Sequence, residues 1–208
     1  MKHHATRELF DYWNRLRGSR AAPERAEIDL AVIRGLIADM FMLKVDAAQL
    51  FPFVLSGTRI NALTCTEQKG RSFLDLWAPE DARNVAAMLA TVIDASRPVL
   101  ANATATPEGW PAHEIEILFL PLGRRGQENA RILGLIAPAS APSWLGLKPA
   151  NNLALSSLRP IDNSTGPRPF EVHETVAETK NTIGTQSSDK PIKNAVHLKV
   201  FDGGRELT

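Results

Sequence analysis

The sequence predicts an α+β fold: a five-stranded antiparallel sheet with short helices on one face, N-terminal helices before it and an extended C-terminal tail after it. The first observation behind this prediction is a hairpin-like segment from 113 to 137. Glu114 and Glu116 alternate with isoleucines in its first half, and a short apolar run, 132–136, follows a polar loop. Alternation of apolar and polar residues at a period of two indicates strands with one buried face.

The second observation is the order of the remaining segments. Two strand-like runs come early in the chain, helical patterns follow them, and three strand-like runs complete the set. A hairpin alone is marginally stable in water, so the last two strands must be covered by other elements. The earlier segments supply that cover, which makes one mixed domain the simplest interpretation.

Length, charge and composition exclude several classes of protein. The 208 residues suffice for one domain with extensions, and the formal net charge of +1 argues against a broad nucleic-acid-binding surface. No apolar run approaches the roughly 20 residues of a membrane span, and the first residues lack the apolar core of a signal peptide. A single cysteine, Cys65, excludes an internal disulfide and suits a reducing compartment. We therefore expect a cytoplasmic protein.

The first 20 residues predict an amphipathic helix. Thr6 is the expected N-cap, and Gly18 is the expected end because glycine readily adopts the left-handed conformation of a helix C-terminus. Four apolar residues at helical spacing form one stripe: Leu9, Tyr12, Trp13 and Leu16. The stripe packs either on the sheet of its own chain, which is the usual outcome, or on a partner protein or second copy. The four residues are therefore candidate partner contacts. Deletion of residues 1–20 is expected to weaken association more than it unfolds the domain.

The remaining elements follow from hydrophobic spacing and turn residues. The predicted strands are 41–45, 50–55, 99–106, 113–122 and 130–137. The predicted helical segments between them are 30–38, 58–63, 70–77 and 79–96. The last of these is the longest helix; Pro79 presets its first turn, and Glu80 and Asp81 suit the positive end of the helix dipole.

The character of the chain changes after Pro138. Residues 140–193 contain repeated Pro, Ser, Asn and Thr, which predicts a mostly extended or disordered segment. An alternating run at 196–201 predicts one more short strand or an ordered peptide. The predicted organisation is an N-terminal helical extension (1–38), a five-stranded domain (39–138) and a tail (139–208).

A set of short motifs accompanies this order of elements. The motifs are Tyr12-Trp13 with Leu16-Arg17-Gly18, Ala22-Pro23, Ile28-Asp29, Leu55-Ser-Gly-Thr-Arg59, Gly70-Arg-Ser-Phe73 with Trp77, Leu118-Phe-Leu-Pro-Leu122 and a closing His197-Leu-Lys-Val-Phe-Asp-Gly-Gly204. Two strands, short helices, one longer helix and three strands is the order of a PAS domain. Together the motifs resemble a family of small single-domain PAS proteins from alphaproteobacteria, over most of residues 6–138 and the last dozen residues.

The resemblance implies a sensory or regulatory module. The chain shows no histidine-kinase, cyclase or DNA-binding segment, so we expect its signal to leave through protein–protein contact. Three hypotheses stay open. The first is a stand-alone PAS regulatory protein that binds another protein or a second copy, with or without a small ligand. The second is a small-molecule-binding sensor whose output depends on the ligand, and the third is an enzyme.

A PAS fold forms a cavity between its sheet and its short helices, and the resemblance implies one here. The candidate lining residues are Leu55, Ile60, Leu63, Phe73, Trp77, Ile117 and Phe119. Apolar pockets with few polar anchors suit small ligands. The alternative is that these side chains simply fill the core. The sequence identifies no cofactor.

The reactive side chains form no catalytic or metal-binding pattern. Cys65 has no neighbouring histidine or lysine, so we expect an inert, semi-buried thiol. The five histidines lack metal-ligand spacing, and none lies on the longest helix, where the resemblance would place a haem ligand. Glu114 and Glu116 share one strand face and are expected to be solvated. We therefore predict a protein without enzymatic activity or a metal site.

Overall fold

The computed structural model describes residues 1–46, 48–123 and 130–162. Its strands are β1 (Met40–Lys44), β2 (Phe53–Ser56), β3 (Val99–Pro107), β4 (His113–Leu122), β5 (Arg131–Pro138) and β6 (Ala150–Pro160). Its α-helices are α1 (His4–Arg17), α2 (Thr58–Thr64) and α3 (Pro79–Asp94). Short 3-10 helices cover Arg25–Glu27, Arg34–Asp39 and Phe73–Leu76.

The strands form one antiparallel sheet in the order β2-β1-β5-β4-β3-β6. The β4–β5 hairpin lies at its centre, in a register that pairs Ile117 with Ile136 and Leu118 with Leu135. This arrangement confirms the predicted α+β fold. Because successive side chains of a strand point to opposite faces, the sheet builds two cores, one on each face.

The inner face of the sheet packs against α2, α3 and the 3-10 helix Phe73–Leu76. Its centre consists of four phenylalanines from four elements, whose neighbouring rings have centroids 5.2 to 6.0 Å apart. These are Phe41, Phe53, Phe73 and Phe119. Gly134 on β5 leaves room for them, because a Cβ at this position would lie 2.1 Å from Cζ of Phe41. Helix α3 closes this core with the side chains of Val85, Met88, Leu89, Val92 and Ile93.

The outer face of the sheet is covered by α1 and by the segment between α1 and β1. The buried side chains from the sheet include Met40, Met42, Leu118, Leu120, Leu133 and Leu135. Residues 1–38, which the sequence analysis separated as a helical extension, thus cover the outer core, while most of β6 stays exposed.

A sixth strand is the main difference from the predicted five-stranded sheet. The segment after residue 138, expected to be mostly extended or disordered, supplies β6, which pairs along β3 from Val99 with Pro160 to Pro107 with Ala150. Only Ala150 and Leu153 of this strand are buried. Its apolar alternation is therefore weak, and the sequence gives little sign of a strand.

Backbone contacts hold β6 in place. Its register shifts at a bulge between Asn102 and Ala103 of β3, and the Leu155 N–H donates to the Asp81 carboxylate at 2.7 Å. The Ala78 N–H donates to the carbonyl of Leu153 at 3.0 Å. The short strand predicted at 196–201 lies outside the described residues.

The boundaries of α1 differ from those predicted. The helix begins at His4, and its cap is His3, whose Nδ1 accepts from the Ala5 N–H at 3.2 Å. Thr6, the predicted cap, is instead fully buried inside the helix. Gly18 ends the helix as predicted, with φ of 56°.

Two further predicted segments are shorter than expected. The predicted helix at 30–38 is the 3-10 helix Arg34–Asp39. The second strand begins at Phe53 rather than at residue 50, because Gln49 and Phe51 adopt left-handed backbone conformations with φ of 53° and 49°. Such conformations cannot belong to a regular strand.

Candidate functional site on the outer face of the sheet

The space that the sequence analysis assigned to a ligand is occupied by side chains. Six of the seven candidate lining residues lie together in the inner core: Ile60, Leu63, Phe73, Trp77, Ile117 and Phe119. The phenylalanine rings fill its centre. Ile60 and Leu63 also border a cavity of about 20 Å³ beside Asp39 and Arg59. A cavity of this size accommodates about one water molecule, whereas small-molecule sites are roughly 300 Å³ or larger.

Leu55, the seventh candidate, lies on the opposite side of the sheet, where it packs against the outer core. The register between β1 and β2 shifts between Met42 and Leu43, so Leu55 pairs with Met42 while Phe53 pairs with Leu43. This bulge breaks the alternation of side chains along β2. Leu55 therefore shares the outer face with Met42.

The apolar stripe of α1 faces the sheet of its own chain. Leu9, Tyr12 and Trp13 are buried, and Leu16 is half-buried at the edge of the outer core. The Trp13 indole donates from Nε1 to the carbonyl of Pro121 on β4 at 2.8 Å. Of the two alternatives for this stripe, the structure shows internal packing. Contact between these buried side chains and a partner would require α1 to leave the sheet.

Polar contacts fix the C-terminal half of α1. The Tyr12 hydroxyl accepts from the Asp29 N–H at 2.8 Å and donates to the Asp29 carbonyl at 3.3 Å. The Arg17 guanidinium lies over the Trp13 ring, 5.5 Å from its centroid, and donates from Nε to Asn14 at 2.7 Å. Three of the motif residues that carry the family resemblance, Tyr12, Trp13 and Asp29, thus attach α1 to the rest of the chain, whereas Arg17 braces the helix internally.

Glu116 of β4 holds the N-terminal end of α1. Its carboxylate accepts from the Lys2 N–H at 2.8 Å and from the His3 N–H at 3.2 Å. The prediction that Glu116 is solvated is wrong, because the helix covers this end of β4 and leaves the residue only 7% exposed. This contact could not be predicted from local patterns, since the bonded residues are more than a hundred positions apart.

The environment of Glu116 favours its charged form. Burial raises the pKa of this carboxyl, but the opposing contacts, of which the backbone N–H of Lys2 is the strongest, together outweigh burial and keep the pKa below its usual value. The Thr6 hydroxyl also lowers the pKa, although its geometry falls outside that of a normal hydrogen bond. The carboxylate therefore remains charged at neutral pH.

A groove of about 340 Å³ lies beside this contact on the outer face. Lys2 and His3 form one wall, and Glu114, Glu116, Asn102 and Ser156 line the rest, with alanines between them. Glu114 is exposed, as predicted. The groove gives water and solutes access to the carboxylate that holds α1.

Asp39 and Arg59 form an ion pair that joins the 3-10 helix Arg34–Asp39 to α2. Burial raises the pKa of Asp39, and the neighbouring Arg59 opposes this effect without cancelling it. Asp39 Oδ1 is buried and has no hydrogen-bond partner among the described residues. Its position beside the 20 Å³ cavity makes a bound water the natural donor.

The remaining reactive residues that the structure describes show no shared site. Cys65 is exposed rather than semi-buried, because it ends α2 in a left-handed conformation with φ of 51°. His113 Nε2 lies 2.8 Å from the Ser140 carbonyl. Within the described parts of the chain, no group of three or more His, Cys, Asp or Glu side chains is arranged to hold a metal. Over the same residues, no helix is long and apolar enough to cross a membrane.

Comparison with known proteins identifies the fold family. A family model described as a PAS domain matches residues 1–137, which include α1 and end within β5. The match leaves out β6. Comparison with curated proteins gives no significant match. The matched residues cover well over half of the chain, so this protein belongs to the PAS domain family.

Proposed function

We propose that this protein is a PAS regulatory protein of the cytoplasm that acts through protein–protein contact and catalyses no reaction. Family membership favours a sensory or regulatory role. The single observation that carries the finer proposal is the arrangement of α1: an amphipathic helix covers an apolar sheet face, while the inner space is filled by phenylalanines. An apolar face of this kind becomes a protein-binding surface when it is uncovered.

Two surfaces are available to a partner in this proposal. With α1 seated, a partner meets its exposed side, which carries Arg7, Glu8, Asp11 and Arg15. With α1 released, a partner or second copy meets Leu9, Tyr12, Trp13 and Leu16, or the sheet face that they leave. Deletion of residues 1–20 cannot separate these surfaces, because it also uncovers the outer core.

A second candidate function is a small-molecule sensor with ligand-dependent output. The observation in its favour is Trp77, whose Nε1 is buried in the inner core without an acceptor among the described residues. A buried donor without a partner costs stability, and a small ligand or a water with an acceptor atom would remove that cost. A ligand would have to displace core side chains, so this candidate ranks second.

Native mass spectrometry of the full chain, purified without refolding, separates the two. If the protein acts through protein–protein contact, the free chain should have the mass of the polypeptide alone. Capture under native conditions should then yield a defined complex with a partner protein or a second copy. A small molecule on every copy, with no protein complex at any concentration, would contradict the proposal and favour the sensor.

A further inference from the structure

The attachment of α1 is uneven along its length. Its second half is fixed to the rest of the chain by Trp13 and Tyr12, each with a hydrogen bond of its own. The backbone N–H groups of Lys2 and His3, which lead into the helix, depend instead on a single carboxylate from the sheet, that of Glu116. The N–H groups at a helix start lack intrahelical acceptors and lie at the positive end of the dipole, so a carboxylate suits them.

We propose that Glu116 is a carboxylate latch for α1. While this side chain is charged, it keeps the first turn of the helix on the sheet; when it is neutralised, α1 opens from its N-terminal end and uncovers the outer apolar face. The rest of the sheet keeps its fold, because the β4–β5 hairpin is paired independently of α1. This inference rests on the proposed function, since the uncovered face is the surface offered to a partner.

The surroundings of the latch decide its response to pH. The titratable groups near it are the Met1 amino group, Lys2 and His3 on the helix side, Glu114 on its own strand, and Asp39 close to His3. The neighbours from β3, β5 and β6 are the neutral Asn102, Ala137 and Ser156. Since the pKa of Glu116 lies below its usual value in the folded protein, its contribution is fully present above the unfolded value of about 4.3. The contribution is lost as the pH falls through the folded pKa.

The test compares Glu116→Gln with Glu114→Gln in the full chain. Both variants remove one carboxylate charge from the same strand face, but only the first touches α1. The measurement is amide hydrogen exchange at pH 7, followed separately for α1 and for the β4–β5 hairpin.

We expect Glu116→Gln to speed exchange in the first turns of α1 by about tenfold or more, since hydrogen bonds to a charged group contribute roughly that factor. Exchange in β4 and β5 stays at the wild-type rate, and Glu114→Gln matches wild type throughout. Exchange in α1 that is unchanged by Glu116→Gln would overturn the latch, and so would equal acceleration in α1 and the sheet.

A second measurement covers the case in which Glu116→Gln fails to fold. Wild-type protein is taken from pH 7 to pH 3, and exchange is corrected for the intrinsic pH dependence of amides. The latch predicts that α1 progressively loses protection as the pH falls below about 4.3 toward the folded pKa of Glu116, while β4 and β5 remain protected. Loss of protection in helix and sheet at the same pH would overturn it.

Self-association of the same variants, measured by sedimentation velocity, separates the latch from the proposed function. If α1 opens and neither self-association nor capture of a protein changes, the uncovered face is not the partner surface of the proposed function, and the latch stands. If α1 does not open, the latch fails and the proposed function is judged by native mass spectrometry alone.

Discussion

Trp13 offers the sharpest test of how α1 is seated. Trp13→Phe keeps an aromatic ring in the outer core but removes the Nε1 donor to the Pro121 carbonyl at 2.8 Å. That carbonyl is then left buried without a partner, which costs about 1–3 kcal/mol. The smaller ring also weakens the stacking of Arg17, 5.5 Å from the ring centroid, by up to about 1 kcal/mol.

The expected total is a loss of about 2–3 kcal/mol in the free energy of unfolding, because the two effects partly overlap. The assay is equilibrium unfolding in urea, followed by circular dichroism. Trp110→Phe is the matched control, since Trp110 is 40% exposed and its replacement should cost about 0.5 kcal/mol or less. Equal costs for the two variants would refute the seating of Trp13 against β4.

Two further predictions concern the inner core and the ion pair beside it. Gly134→Ala should cost about 2 kcal/mol or more in the same assay, because its Cβ would meet the Phe41 ring at 2.1 Å, whereas Gly35→Ala, with open space around it, should be nearly neutral. A neutral Gly134→Ala would contradict the packed inner core. Asp39→Asn should change stability at pH 7 by less than about 1 kcal/mol, since Arg59 remains 55% exposed and solvated. The raised pKa of Asp39 predicts that wild type, relative to Asp39→Asn, gains stability as the pH falls from the folded pKa toward the unfolded value; an opposite slope would contradict this.

Local patterns made the centre of the fold predictable. The period-two alternation of the last hairpin predicts the bounds of β4 and β5 to within a residue. The proline followed by two acidic residues predicts the start of α3. Each of these signals lies within a single segment of the sequence, so it can be recognised without knowing which other segments that element packs against. The apolar stripe of α1 likewise indicated which side of the helix is buried. The sequence alone did not decide whether that side packs on its own sheet or on a partner.

The features that could not be predicted from the sequence depend on contacts between residues far apart in the chain. β6 has few buried side chains and is held by backbone pairing with β3 and by Asp81, 74 positions before Leu155. The role of Glu116 arises only when the start of α1 reaches β4. Leu55 was predicted on the wrong face of the sheet because a bulge in β2 reverses the side to which the following side chains point. No residue type in this segment indicates the bulge.

The position of α1 bears directly on function. Removal of the helix would expose the outer apolar face, so a chain that keeps it seated avoids non-specific association. The anchors differ in kind: the Trp13 indole is buried, whereas the carboxylate of Glu116 borders an open groove. A signal that reaches the groove would therefore act on the N-terminal end of the helix first.

The most direct test of the account is hydrogen exchange of the Trp13 indole proton, measured by nitrogen-15 NMR on the full chain. The seating of α1 on the sheet predicts that this proton exchanges slowly, because it is buried and bonded to Pro121, while that of the exposed Trp110 exchanges rapidly. Rapid exchange at Trp13, at the rate of Trp110, would show that α1 is free of the sheet and would contradict the account.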